Sequence, residues 1–147
     1  MYLELSVNTS RSINWQQVRQ DAERFPEAAF QFVREGLAYT VKAVHGITDP
    51  ADEIIADARR GMAQRRTRHI NGQQLSMGLR DFALKQYGSL AGTVMRKWGV
   101  KKTDDFGTIV YAMIDRKEMR ASPDDHLDDF KNVFDFDEAF VEPVKVG

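Results

Sequence analysis

Apolar residues recur along this chain at three- and four-residue intervals, the spacing of helices with one buried face. Between residues 68 and 114 the recurrence falls into three blocks, each with its own start and stop signals. In the first block Leu75, Leu79, Phe82 and Ala83 share a face. Asn71 and Gln74 form a capping box flanked by Ile70 and Leu75 as a hydrophobic staple, and Gly88 supplies the stop. Ser89 opens the second block, with Leu90, Ala91, Val94, Met95 and Trp98 as its buried face and Gly99 as its terminator. Val100 packing on Met95 completes a Schellman ending, and Arg96 and Lys97 suit the last turn. Thr103 caps the third block, Asp104 and Asp105 lie in its first turn, and Phe106, Ile109, Val110, Met113 and Ile114 form its stripe.

The flanks read less uniformly. Leu3, Leu5 and Val7 alternate with polar neighbours, so residues 1–12 form an N-terminal arm or a short strand. A helical pair follows over 14–46. Its first member is capped by Asn14 with Gln17 and carries Trp15, Val18, Ala22 and Phe25. The second takes Pro26 in its first turn, buries Ala29, Phe30, Val33, Leu37, Val41 and Val44, and ends at Gly46. Gly36 inside it implies that another element crosses closely there. Residues 47–68 read as a variable basic connector, where a helical start at Asp49-Pro50 fades into arginines. The central three-helix unit occupies 69–120 and an acidic C-terminal segment 121–147. Ser122-Pro123-Asp124-Asp125 is a helix start, with Leu127, Phe130 and Phe134 facing inward. Phe130 to Phe136 reads equally as an extended segment. Phe136, Ala139 and Phe140 dock the tail. The expected fold is a single, compact, mainly α domain. A winged-helix-like variant would use the turn Gly99-Val100-Lys101-Lys102, with a wing or small β element built from Met119 to Phe136.

Composition narrows the chemistry. A chain of 147 residues is the size of one domain, and with no cysteine it has no disulfide, thiolate metal site or cysteine nucleophile. The Met1-Tyr2-Leu3-Glu4 start lacks a secretory signal and no apolar run is long enough for a membrane span, so a cytoplasmic protein without membrane contact is expected. The net charge of −1 hides an asymmetry. From Arg59 to Lys102 there are eleven Lys or Arg against Asp81 alone, whereas from Ala121 onward eight acids face Lys131 and Lys145.

His45, His69 and His126 have no metal-ligand spacing between them. His69 beside Arg68 reads as a general base or anion ligand, or as a ring bonding the neighbouring helix start. The cluster Asp124-Asp125-His126-Leu127-Asp128-Asp129 suits a hard cation in composition but lacks EF-hand spacing, and helix-start acids explain it as well. Phosphate loops, a nucleophile elbow and a zincin motif are absent from the sequence. No cofactor is implied. Arg59, Arg60, Arg65, Arg66, Arg68, His69, Lys97, Lys101 and Lys102 are the candidate binding residues, able to contact phosphate without reading bases. Asp104 and Asp105 oppose a major-groove reader, because they open the would-be recognition helix with negative charge.

The segments Arg24 to Val33, Arg68 to Leu75, Trp98-Gly99-Val100, Thr103 to Val110 and Asp129 to Phe136, in that order, resemble an uncharacterised bacterial family associated with planctomycetes and verrucomicrobia. That resemblance implies membership without an assigned activity. The expected function is therefore a non-enzymatic protein-interaction or adaptor module whose partner is another protein, with a homo-oligomer as one form. The alternative is nucleic-acid or ribonucleoprotein binding through the basic segment 59–102. A third class is an enzyme or metal-binding protein using His69 and the aspartates.

Overall fold

The computed structural model describes residues 13–46 and 69–141. It is mainly helical: α1 (Trp15–Ala22), α2 (Glu27–His45), α3 (Gly72–Tyr87), a 3-10 turn (Gly88–Leu90), α4 (Ala91–Lys97), α5 (Thr103–Asp115), a second 3-10 turn (Leu127–Phe130) and the single-turn α6 (Phe136–Ala139). No strand occurs among the described residues. The expected arm over 1–12 and the connector over 47–68 lie outside them.

Helix starts and stops follow local chemistry. The Asn71 side chain accepts the Gln74 N–H at 2.8 Å while the Gln74 side chain accepts the Asn71 N–H at 3.0 Å, a complete capping box. Asn14 caps α1 through the Gln17 N–H, but Gln17 turns its own amide to Asp21, so that box is only half made. Gly99 (φ 79°) ends α4, with Val100 N–H donating to the Met95 carbonyl and Gly99 N–H to that of Arg96, the two bonds of a Schellman motif. Lys117 (φ 66°) plays the glycine role after α5, its N–H reaching Ile114 and that of Glu118 reaching Met113.

Several expectations are corrected. Pro26 stands at the N-cap of α2 in extended backbone rather than in its first turn. Ser89 does not open α4: the Gly88–Leu90 turn intervenes and leaves Leu90 59% exposed. Val44, expected on the buried face of α2, is 42% exposed. Thr103 does not cap α5 but is fully buried inside its first turn. Ser122 starts a hydrogen-bonded turn to Asp125 instead of a helix, and between the Leu127–Phe130 turn and α6 the chain is irregular, neither continuous helix nor strand. The segment expected as a wing is thus built of turns.

The core forms around α5, in which Thr103, Asp105, Phe106, Gly107 and all of Ile109 to Met113 are buried. α1 crosses α5, joined by the Arg19–Asp115 ion pair at 2.9 Å and by Trp15 against Tyr111. α2 packs along α3 at glycine contacts: a Cβ on Gly36 would meet Leu79 and Phe82, and one on Gly78 would meet Thr40. Phe32 lies among Phe82, Tyr87, Trp98 and Phe106. The C-terminal segment then returns over α3 and α5, seating Phe130 where any side chain on Gly72 or Gly107 would collide with it.

Candidate functional site

Of the residues the sequence singles out, Arg59, Arg60, Arg65, Arg66 and Arg68 fall outside the described residues. His69 is placed just before the α3 cap. Its Nε2 donates to Asp125 at 3.0 Å, and its backbone carbonyl accepts from the His45 ring at 2.9 Å. The end of α2, the entry to α3 and the acidic segment are tied together at this point. Asp125 also accepts the Ser122 N–H at 2.8 Å, and Asp129 accepts the His126 N–H at 3.0 Å, so both carboxylates cap their own turns. Among the described residues no group of three or more His, Asp or Glu is arranged to hold a metal ion.

Two buried hydroxyls stand out elsewhere in the core. Tyr111 is 2% exposed and its hydroxyl has no hydrogen-bond partner among the described residues; the Ser76 hydroxyl is likewise buried and unpartnered among them. Burial pushes the Tyr111 phenol well above its usual range, with Asp125 and Asp129 adding to the effect. The group stays protonated and neutral, a cost to the fold rather than a poised acid.

Lys97 ends α4, and Lys101 and Lys102 form the turn into α5. That turn borders an open cleft of about 300 Å³ with Asn132, Phe134, Asp135, Phe136 and Asp137 on its other wall. Two lysines and two aspartates therefore line one cleft, which brings Lys101 and Lys102 of the basic middle to the acidic end. Behind it, Asp105 fixes the turn, accepting the Lys101 N–H at 2.8 Å and pairing with Arg24 at 2.6 Å. Thr103 holds the opposite wall: its hydroxyl donates to the Phe130 carbonyl at 2.6 Å and accepts the Val133 N–H at 3.1 Å. With α5 buried on nearly every side, it cannot serve as a helix inserted into a DNA groove.

A second concavity is apolar. α2 and α3 splay apart from the Thr40–Gly78 contact into a groove of about 350 Å³, lined by Tyr39, Ala43, Val44 and Met77 with Gln73, Gln74 and Asp81 at its edge. Thr40 turns its hydroxyl back to the Gly36 carbonyl at 2.7 Å, and its side chain, hydroxyl oxygen foremost, lies against Gly78 with its hydrogen-bonding need met. Val44 and Met77, 42% and 36% exposed, are large apolar side chains held at the mouth. Tyr39 is held by Phe82 at 5.3 Å and by the Lys85 ammonium at 5.5 Å. Sequence reasoning missed this site because it placed Val44 in the core and gave Met77 no role. The available signal was Met77 itself, an apolar residue off the Leu75–Leu79–Phe82 stripe.

Comparison of the chain with protein-family models, with curated proteins and with solved structures finds no match. Among the described residues no helix is long and apolar enough to cross a membrane.

Proposed function

We propose that this protein is a non-enzymatic docking module whose α2–α3 groove receives the apolar face of an amphipathic helix from a partner protein. The observation that carries this reading is the exposure of Val44 and Met77 at the mouth of a groove whose walls are almost wholly apolar. A groove between two antiparallel helices matches the helix-in-groove mode, in which a partner helix inserts side chains at i and i+3 or i+4. The size fits one or two such side chains, at the small end of the roughly 300–1,000 Å³ typical of binding pockets. Nucleic-acid binding is less well supported by the described residues, because Lys101 and Lys102 already line a cleft with Asp135 and Asp137.

The test is photo-crosslinking in the native host from a photoreactive amino acid at position 77 and, in a second chain, at position 101. Protein adducts from position 77, including a second copy of this chain, are expected. Nucleic-acid adducts from position 101 with none from 77 would replace this reading by phosphate recognition.

A further inference from the structure

Asn71-Gly72 is the single Asn-Gly step in the sequence, the others being Asn8-Thr9, Asn14-Trp15 and Asn132-Val133. This dipeptide is chemically labile because glycine has no Cβ to shield its backbone nitrogen or restrict its rotation. The Gly72 nitrogen can attack the side-chain carbonyl carbon of Asn71, closing a succinimide. The side-chain nitrogen leaves as ammonia, taking up the proton lost from Gly72. Water then opens the ring at either carbonyl, giving aspartate or isoaspartate at position 71. Nothing else is consumed.

In the folded chain the Asn71 side-chain oxygen and both polar groups of its backbone are held elsewhere. The Asn71 side-chain oxygen accepts the Gln74 N–H at 2.8 Å, and the Asn71 N–H is tied to the Gln74 side chain at 3.0 Å. The Asn71–Gly72 peptide is itself fixed, since its carbonyl accepts the Leu75 N–H at 2.9 Å as the first bond of α3. Gly72 is buried against Asp129 and Phe130, which sit 2.8 and 3.0 Å from where its Cβ would be. Attack requires that peptide to rotate, and rotation breaks the helix's first bond, the capping box and the packing of the 127–130 turn together.

We propose that Asn71 is a modification site gated by the fold: it deamidates only when the start of α3 and the turn over it open. The two products differ in consequence. Aspartate keeps the cap and adds favourable charge at the helix start. Isoaspartate inserts a methylene into the backbone and displaces Gly72 from beneath Phe130. The site thereby records how often this corner has opened, a local event with its own free energy.

The experiment follows deamidation by peptide mass spectrometry in the full chain at mildly alkaline pH. The wild type in native buffer should react far more slowly than in denaturant, and its rate should climb with urea below the unfolding transition. Gln74→Ala, which removes half of the box, should speed native deamidation about fivefold, the increase in open population that loss of a typical cap bond produces. Equal rates in native buffer and denaturant would overturn the gate. So would an unchanged rate in Gln74→Ala together with no dependence on sub-denaturing urea.

Discussion

Tyr111 and Thr103 show how differently two buried hydroxyls behave. The Thr103 hydroxyl is used twice, donating to Phe130 and accepting from Val133, so Thr103→Val leaves a carbonyl and an N–H unpaired at nearly unchanged volume. A loss of about 2–3 kcal/mol in urea unfolding is expected. The Tyr111 hydroxyl has no partner among the described residues, so Tyr111→Phe should be neutral or stabilising by up to about 1 kcal/mol. The sign of its pH effect follows from its raised pKa. The unfolded phenol ionises near its ordinary value of 10.0 while the folded one stays protonated, so the group adds no pH dependence below pH 10 and lowers stability as pH rises beyond it. Alkaline melting curves should therefore fall less steeply for Tyr111→Phe than for wild type, and identical slopes would count against this account of the buried phenol.

At the scale of elements, the glycines decide how closely helices approach. Gly78→Ala gains helix propensity but drives a methyl into Thr40, and a net loss of about 1–3 kcal/mol is expected by chemical denaturation. An increase in stability would mean that α2 and α3 separate more easily than their contact implies. The same scale shows what the sequence makes legible. The Asn71–Gln74 box and the Gly99 Schellman ending were readable because their partners lie within a few residues and backbone geometry dictates the residue types. Thr103 was misread as a cap because its real partners, Phe130 and Val133, come from a returning segment that no local pattern announces. Leu90 and Val44 satisfied the helical period yet stayed exposed, since period identifies a face without showing whether anything covers it. Gly36 worked in the opposite direction: its helix-propensity cost pointed correctly to a close neighbour, Leu79.

At the scale of the whole molecule, two concavities among the described residues differ in character. One is lined by lysines and aspartates between the α4–α5 turn and the C-terminal segment; the other is the apolar opening between α2 and α3. The first was half legible, as a charge asymmetry along the chain, although only folding shows the two signs meeting. The second was not legible, because its walls come from helices on either side of residues 47–68. Its mouth residues contribute little to the core, so Val44→Asp should shift the melting temperature only slightly, in keeping with surface substitutions of about half a kcal/mol or less. The most direct test of the docking reading combines that variant with crosslinking from position 77. The account predicts that Val44→Asp abolishes the protein adduct while the chain melts as wild type does. An adduct of undiminished yield in a folded Val44→Asp chain would contradict it.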